Sequence, residues 1–277
     1  MAKNTKLSAG EFFNWSRHPF IDQPGNIGAE SLTIRRDQEI FARAREFLNV
    51  GRSFAIIGSS GTGKTTLVRA IAQSLDSRHY RLIWLAYSGS NRGGILRILA
   101  DKIGLELKMK GLPPVSKLRQ QLANAQKEPN SQVPIIVVDD AQYLEPDSLM
   151  DLCGMLANPD DQSTLASLIL VGDETLERTL RMTSRRSVST RMAYTFRMDG
   201  IAPEEAKNLL STRIEKAKGP KNLFADDALE LLTTQCRGNR RELMNLATTL
   251  CVEAHLRGEK IITAELLLST IPIQTNG

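Results

Sequence analysis

The 277-residue sequence is short of cysteines and has no long apolar run. Its three cysteines, Cys153, Cys236 and Cys251, are far apart and odd in number, which argues against a disulfide framework or a cysteine-rich metal site. No apolar run approaches the roughly 18 residues of a membrane span, and no apolar segment follows the first six residues. We therefore expect neither a membrane helix nor a secretory signal, and a cytoplasmic location with reduced thiols.

Aromatic residues make up only 5% of the chain, yet several of them cluster near the N-terminus. Residues 1–33 have no clear periodicity and are predicted to be an irregular arm. The cluster comprises Phe12, Phe13, Trp15 and Phe20. Burial of this arm against the domain explains the cluster. A second interpretation, compatible with the first, is that the stretch around His18-Pro19-Phe20 covers the adenine of a bound nucleotide.

The charge balance is mildly basic, with 36 lysines and arginines against 31 acidic residues, a net charge of +5. An excess of this size permits binding to nucleic acid, but a solvated surface explains it equally well. The composition therefore leaves the partner class open.

A glycine-rich stretch at 58–65 carries the most specific signal in the chain. It follows the apolar run 54–57 and precedes an amphipathic helix, the context that a phosphate-binding loop requires. Lys64 is expected to reach the β- and γ-phosphates, while the Thr65 hydroxyl is expected to bind Mg²⁺. Backbone N–H groups around the loop would face phosphate oxygens. The predicted nucleotide-binding residues are Gly58, Ser59, Ser60, Gly61, Thr62, Gly63, Lys64, Thr65 and Thr66.

Two further apolar strands end in acidic residues. Strand 134–138 is followed by Asp139, which is expected to hold Mg²⁺ through water and to face Thr65, and by Asp140, which is expected to polarise the attacking water. Strand 168–171 is followed by Asp173. That carboxylate either reads the γ-phosphate or caps a helix over 174–181, and the sequence leaves both open. An additional strand at 82–87 fits between the loop and the acidic pair.

Arginines are concentrated around a short strand at 194–196. Because five unpaired guanidinium groups would be costly to bury, we expect them at a surface that meets phosphate, either of a neighbouring subunit's nucleotide or of nucleic acid. A solvated face is the alternative. The arginines are Arg181, Arg185, Arg186, Arg191 and Arg197.

Helical periodicity predicts the remaining elements and a domain boundary near 199. Thr33 is expected to cap the first helix, and Pro203 suits the first turn of another. The last long helix opens with Arg240 and Arg241, which oppose the helix dipole unless an anion lies nearby. Predicted domains are an arm at 1–33, an α/β domain at 34–199 and a helical domain at 200–277. Predicted helices are 34–49, from the loop to about 75, 95–103, 115–128, 147–157, 174–181, 204–217, 226–236, 239–256 and 263–269.

These motifs together resemble the AAA+ ATPase superfamily over about residues 30–270. The resemblance implies a three-layer α/β P-loop NTPase domain with a parallel sheet, followed by an all-helical lid. Shorter patterns are similar to the branch that contains the transposition regulators TnsC, TniB, IstB and MuB together with the secretion ATPase ExeA. The branch-level likeness lies in Phe12-Phe13, Pro19-Phe20, Asp139-Asp140-Ala141-Gln142, Leu170-Val171-Gly172, Arg191 and Gly238-x-x-Arg241.

The resemblance also implies roles for individual residues. Asp139 is the metal carboxylate, and Asp140 occupies the place usually held by a catalytic glutamate. Asp173 lies where a first sensor is expected. Arg191 fits an arginine finger that acts on the next subunit's nucleotide, with Arg185 and Arg186 as alternatives. Arg241 fits the second sensor, with Arg240 as its near alternative.

The same resemblance implies partners. The expected cofactors are ATP and Mg²⁺, and the expected assembly is a ring or helical filament on double-stranded DNA that serves a transposase and target-selection proteins. Expected DNA contacts, for which ordinary solvated charge is the alternative, are Asn91, Arg92, Lys108, Lys110 and Lys117.

Two other functions fit the motifs. One is an ExeA-like secretion-assembly ATPase, in which a membrane span and a cell-wall-binding region are expected after the ATPase. The other is a nucleotide switch that scaffolds partners without hydrolysis.

Overall fold

The structure is a computed structural model that describes residues 8–22, 28–29, 32–86, 94–106, 114–158, 163–182 and 191–270. These residues group into two compact units. The α/β unit holds the described residues between 28 and 59 and between 64 and 198. The helical unit holds residues 8–22, 60–63 and 199–270. No helix among these residues is long and apolar enough to span a membrane.

Five strands and six helices build the α/β unit in the described residues. The strands are β1 (Ser53–Ile57), β2 (Tyr80–Ala86), β3 (Val133–Asp139), β4 (Ser167–Gly172) and β5 (Met192–Arg197). The helices are α2 (Arg35–Asn49), α3 (Lys64–Gln73), α4 (Gly94–Lys102), α5 (Pro114–Gln126), α6 (Pro146–Gly154) and α7 (Glu174–Arg181), with a 3₁₀ turn at Ala141–Tyr143.

The strands form one parallel sheet in the order β2-β3-β4-β1-β5. Parallel strands are buried on both faces, which is why they read as continuous apolar runs. Because β4 lies between β3 and β1, the carboxyl ends of these three strands open on one edge of the sheet. The phosphate loop, Asp139 and Asp173 follow those ends, and this edge is where ligands bind in open α/β sheets.

The two faces of the sheet carry two separate cores. Side chains alternate along each strand, so that Ala55 and Ile57 face one core while Phe54 and Ile56 face the other. Helices α4, α5, α6 and α7 cover the first face, and α2 and α3 cover the second. This arrangement gives the three layers that the family resemblance implies.

The helical unit contains five helices in its described residues. They are α1 (Ala9–Phe13), α8 (Pro203–Lys216), α9 (Asp226–Gln235), α10 (Arg240–Arg257) and α11 (Ala264–Thr270). The N-terminal aromatic residues pack within this unit: Phe13 stacks on Trp15 at 4.7 Å, and Phe20 contacts Phe224 at 5.9 Å between ring centroids. The Ser16 hydroxyl donates to the Ala217 carbonyl at 3.0 Å. The aromatic rings are therefore buried by packing, as the first interpretation of the cluster expects.

The structure differs from the sequence-based predictions at several element ends. Residues Ala9–Phe13 form a helix that the prediction missed, since Ser8 and Glu11 make a capping box that supports one short turn. The predicted Thr33 cap is wrong, because α2 begins after Ile34 without a side-chain cap and the Thr33 hydroxyl is buried without a hydrogen-bond partner. Strand β5 is longer than predicted because it pairs with β1 along its length.

All three cysteines are free and buried, and this burial predicts unreactive thiols. It raises the pKa of Cys153 and Cys251 to about 12 and that of Cys236 to about 11. Because the thiolate is the nucleophile, reaction with Ellman's reagent at pH 8 is expected to be at least roughly a hundredfold slower than for an exposed thiol. Denaturant should release three reactive thiols. Rapid reaction of any thiol in the native protein would contradict this prediction.

Candidate nucleotide-binding site

The two ends of the phosphate loop belong to the α/β unit, where Lys64 is folded against the chain that precedes it. Its Nζ donates to the carbonyl oxygens of Gly58 at 2.7 Å and Ser59 at 2.9 Å. The Gly58 N–H in turn donates to the Gly172 carbonyl at 3.1 Å, which ties the loop to the end of β4. Thr66 follows in the first turn of α3 and is partly buried.

Two glycines in the middle of the loop have a backbone conformation that favours glycine. Gly61 and Gly63 have φ angles of +82° and +94°. In the helical unit, a Cβ on Gly61 would lie 2.0 Å from the Asn239 Oδ1, and a Cβ on Gly63 would lie 2.9 Å from an Arg240 guanidinium nitrogen. Both positions therefore require glycine for its backbone freedom and for the space it leaves.

The start of α10 contacts Ser60 and Gly61 within the helical unit. The Asn239 amide donates to the Ser60 carbonyl at 3.2 Å, and its oxygen caps α10 by accepting from the N–H groups of Arg241 and Glu242. Arg241 donates through its backbone N–H to the Gly61 carbonyl at 3.2 Å and through its guanidinium to the Ser60 hydroxyl at 3.0 Å. The structure thus brings both arginines predicted for nucleotide binding, Arg240 and Arg241, to the loop residues.

Thr65 and Asp139 meet in the α/β unit. The Thr65 hydroxyl donates to the Asp139 Oδ2 at 3.0 Å, although the two residues are 74 positions apart. The contact exists because α3 begins at the end of β1 while Asp139 ends β3. The pair places a hydroxyl and a carboxylate, both hard oxygen donors, side by side.

Asp140 follows in an unusual backbone conformation, with φ 54° and ψ 39°. A residue other than glycine in this left-handed region is uncommon, and aspartate is among the types that tolerate it. The Asp140 N–H donates to the Asp139 Oδ1 at 3.1 Å, and the Gln142 amide donates to the Asp140 Oδ1 at 3.1 Å. The two carboxylates therefore have different hydrogen-bond partners.

Four carboxylates interact electrostatically with the Lys64 ammonium group. Burial lowers the Lys64 pKa, while the carboxylates oppose that shift, with Asp139 first among them. The others are Glu174, Asp140 and Asp173. A partly buried cation near several carboxylates is suited to a ligand that carries negative charge and metal together.

Asp173 caps α7. Its Oδ1 accepts from the N–H groups of Thr175 at 2.8 Å and Leu176 at 3.3 Å. The structural interpretation of Asp173 is thus observed, and a role toward a γ-phosphate stays a prediction.

The described arginines near β5 divide into two groups. Arg181 and Arg197 both pair with Glu177, with 2.6 Å from the Arg181 Nη2 to Oε1, so the two guanidinium groups share one carboxylate and keep a net positive charge. Both side chains are exposed, and their meeting an external phosphate stays a prediction. Arg191 lies immediately before β5 and is exposed, and its charge acts against the burial-induced rise in the Cys153 pKa. Arg185 and Arg186 lie outside the described residues.

Most expected DNA contacts cannot be placed. Asn91, Arg92, Lys108 and Lys110 lie outside the described residues, whereas Lys117 lies in α5 and is partly buried.

His18 packs against Trp15, with a centroid distance of 5.1 Å, and its Nδ1 accepts from the Phe20 N–H at 3.3 Å. Burial lowers the His18 pKa, so the ring is neutral at pH 7. An adenine-covering role for this stretch stays a prediction.

Sequence reasoning gave no role to four residues that bond to the predicted ones or act on them electrostatically: Gln142, Glu174, Glu177 and Asn239. Gln142 stands two positions after the catalytic candidate, and Asn239 is an amide directly before a helix, which is a capping signal. Glu177 precedes Arg181 by four residues, the spacing of a helical ion pair. These signals were present in the sequence, although none of them indicates the distant partner.

The sequence is similar to one protein family and to a curated protein. Residues 49–180 match the AAA domain family. The chain is also 24% identical over 268 residues to General secretion pathway protein A of Aeromonas hydrophila. That alignment covers 95% of this chain but only 48% of the relative, so the chain spans about half the length of the relative it matches.

Solved structures of low sequence identity share the fold. Cdc6p from Pyrobaculum aerophilum has a TM-score of 0.71 at 17% identity, and the superposition covers 88% of this chain and 67% of Cdc6p. ORC1 of Aeropyrum pernix, solved in complex with DNA, has a TM-score of 0.68 at 18% identity, covering 92% and 68%. Domain III of the Thermotoga maritima replication initiation protein DnaA has a TM-score of 0.61 at 16% identity, covering 91% and 98%. The chain therefore has the AAA+ P-loop NTPase fold.

Proposed function

We propose that this chain, which has the AAA+ P-loop NTPase fold and matches the AAA domain family over residues 49–180, binds ATP with Mg²⁺ and hydrolyses it at the site formed around Lys64. The observation that carries the proposal is the contact between Thr65 and Asp139 at 3.0 Å. In phosphoryl-transfer enzymes of the P-loop type, a hydroxyl after the loop lysine and a carboxylate at a strand end hold the metal.

The donor set fits Mg²⁺. The ion prefers oxygen ligands and keeps several waters, so it needs only one or two protein groups beside the phosphates. Thr65 and Asp139 would supply those groups, and the ion would neutralise charge on the phosphate oxygens. The described residues contain no cluster of three or more His, Cys, Asp or Glu side chains that could hold a metal ion, so phosphate and water oxygens would complete the coordination.

The protein's own groups then divide the chemistry among them. Lys64 counters the phosphate charge, and the backbone N–H groups of the loop orient the phosphates. Asp140, which directly follows Asp139 in a left-handed backbone conformation, accepts a hydrogen bond from the attacking water and orients it. Arg241 and Arg240 lie beside loop residues 60–63 and are the sensor candidates.

Assembly on double-stranded DNA is the finer part of the proposal. It is supported by the exposed position of Arg191, by the mild basic balance and by likeness to a fold relative solved with DNA. In this proposal ATP holds neighbouring subunits together through Arg191, and the oligomer coats target DNA for a transposase and its target-selection proteins. The role in transposition rests on the branch-level sequence resemblance.

A second candidate is a role in secretion assembly. It is favoured by the similarity to General secretion pathway protein A, which extends over 95% of this chain. Both candidates use the same nucleotide chemistry and differ in what the assembled protein contacts.

ATP turnover and particle size together test the proposal. We expect Mg²⁺-dependent turnover, and we expect light scattering or electron microscopy to show oligomers with a non-hydrolysable ATP analogue. Duplex DNA binding should weaken steeply across a salt series, because phosphate contacts release counterions. Absence of turnover with retained ATP binding would instead support a nucleotide switch. Oligomers that do not bind DNA at any salt concentration would favour the secretion role.

A further inference from the structure

Gln142 forms a hydrogen bond with the side chain of Asp140. It lies in the 3₁₀ turn Ala141–Tyr143, and its amide donates to the Asp140 Oδ1 at 3.1 Å. Among the described residues, this is the one hydrogen bond recorded to the Asp140 carboxylate. The contact joins the Asp140 carboxylate to the turn that directly follows it.

The other end of the Gln142 amide is buried without compensation. Its Oε1 has no hydrogen-bond partner in the described structure, and it lies 2.9 Å from the point where a Cβ on Gly172 would stand. A buried polar atom without a partner lowers the stability of the folded protein. The reverse orientation of the amide would face its oxygen against the Asp140 carboxylate. The carboxylate therefore sets the orientation, and the buried oxygen is its consequence.

Gly172 provides the space that this arrangement needs. A Cβ at Gly172 would also lie 2.6 Å from the Leu176 Cδ2 and 2.9 Å from its Cβ, so this glycine admits both side chains at the end of β4. Gln142 therefore lies between the end of β4 and the carboxylate that follows β3.

We infer that Gln142 is a positioning residue for ATP hydrolysis: it holds Asp140 in the direction needed to orient the attacking water. The inference rests on the proposed hydrolysis of ATP. A residue kept only for packing would be replaced with benefit by an apolar side chain, because the unpartnered oxygen would disappear. At a positioning residue, the unpartnered oxygen lowers stability, while the amide hydrogen bond holds the Asp140 carboxylate in place.

The test uses Gln142→Met, which keeps the unbranched shape and removes the amide. We expect kcat to fall roughly tenfold, which corresponds to about 1.4 kcal/mol of transition-state stabilisation. The KM for ATP should stay within about twofold, since Gln142 contacts no predicted phosphate-binding residue. The melting temperature of the nucleotide-free variant should equal or exceed that of the wild type. Gln132→Met, at another glutamine whose amide bonds to the Ser77 carbonyl, is the matched control with unchanged kcat.

Two further measurements separate positioning from packing. In the Asp140→Asn background, Gln142→Met should cause no further loss of kcat, because a residue that acts through Asp140 has nothing left to position. In nucleotide-free protein labelled with ¹⁵N-glutamine, the side-chain amide signal that Gln142→Met removes should shift in Asp140→Asn. This second readout does not depend on ATP.

The outcomes separate failure of the inference from failure of the proposed function. If Asp140→Asn lowers kcat strongly while Gln142→Met retains the wild-type kcat, the inference is wrong and the proposed function stands. Parallel losses of kcat and melting temperature, or additive losses in the double variant, would show a packing role and overturn it. If the wild type shows no hydrolysis, the proposed function fails. The amide signal then still decides whether Gln142 holds Asp140, and an unmoved signal rejects the contact.

Discussion

Affinity for ATP is expected to fall at least about 100-fold when Lys64 is replaced by methionine, because each hydrogen bond to a charged group contributes roughly 1.5–3 kcal/mol and this lysine is predicted to reach two phosphates. Methionine keeps the length of the stem but removes the ammonium group. Titration of a fluorescent ATP analogue, followed by anisotropy, measures the change.

The control for this variant is Lys127→Met, which removes an exposed lysine beyond the end of α5. Its affinity for ATP should equal that of the wild type. Lys64 also bonds to the Gly58 and Ser59 carbonyls, so thermal melting of the nucleotide-free protein must show that the variant is folded. A folded Lys64→Met protein whose ATP affinity lies within threefold of the wild type would remove Lys64 from the site.

Loss of Arg191 is expected to slow hydrolysis by roughly 10³- to 10⁵-fold if it acts as a finger on a neighbour's nucleotide. The decisive measurement mixes Arg191→Ala with Lys64→Met. The first protein has an intact nucleotide site but no finger, and the second has a finger but no bound nucleotide. At an interface between the two, Arg191 of the second protein completes the site of the first. Random mixing in a head-to-tail assembly should restore about a quarter of the wild-type rate.

Arg181→Ala is the control for loss of one positive charge. Because Arg181 forms an ion pair with Glu177, this variant is expected to hydrolyse ATP at the wild-type rate. A mixture that stays inactive although the proteins co-assemble would show that Arg191 does not act across a subunit boundary. Full activity of Arg191→Ala by itself would exclude the residue as a finger. Arg185 and Arg186 would then be the next residues to test in the same mixing experiment.

Several features of the site could be predicted from local patterns alone. The phosphate loop is recognisable because glycine is needed where φ is positive, as at Gly61 and Gly63, and because a strand and a helix must flank it. The carboxylate of Asp139 was predictable because it directly follows a fully apolar run. The predicted cap at Thr33 failed for the opposite reason, since a hydroxyl before a helix is a common pattern whose outcome depends on the local backbone.

Contacts between distant residues could not be predicted in the same way. Arg197 pairs with Glu177, which lies 20 positions earlier, whereas only the Glu177–Arg181 pair has a helical spacing visible in the sequence. Asn239 was predictable as a helix cap, but its second contact with the Ser60 carbonyl depends on residues 179 positions away. Strand order was equally hidden. Every central strand is apolar on both faces, so alternation provides no evidence about which strands are neighbours.

The sequence by itself determined which chemical groups this protein has for a nucleotide: a glycine-rich loop, a lysine, a hydroxyl and carboxylates after buried strands. It did so because backbone conformation and strand endings depend on neighbouring residues. Only the tertiary structure decided which groups work together, placing Thr65 against Asp139 and Gln142 between Asp140 and Gly172. The physical reason is the sheet order, which inserts β4 between β1 and β3 and so brings the ends of three strands to one edge.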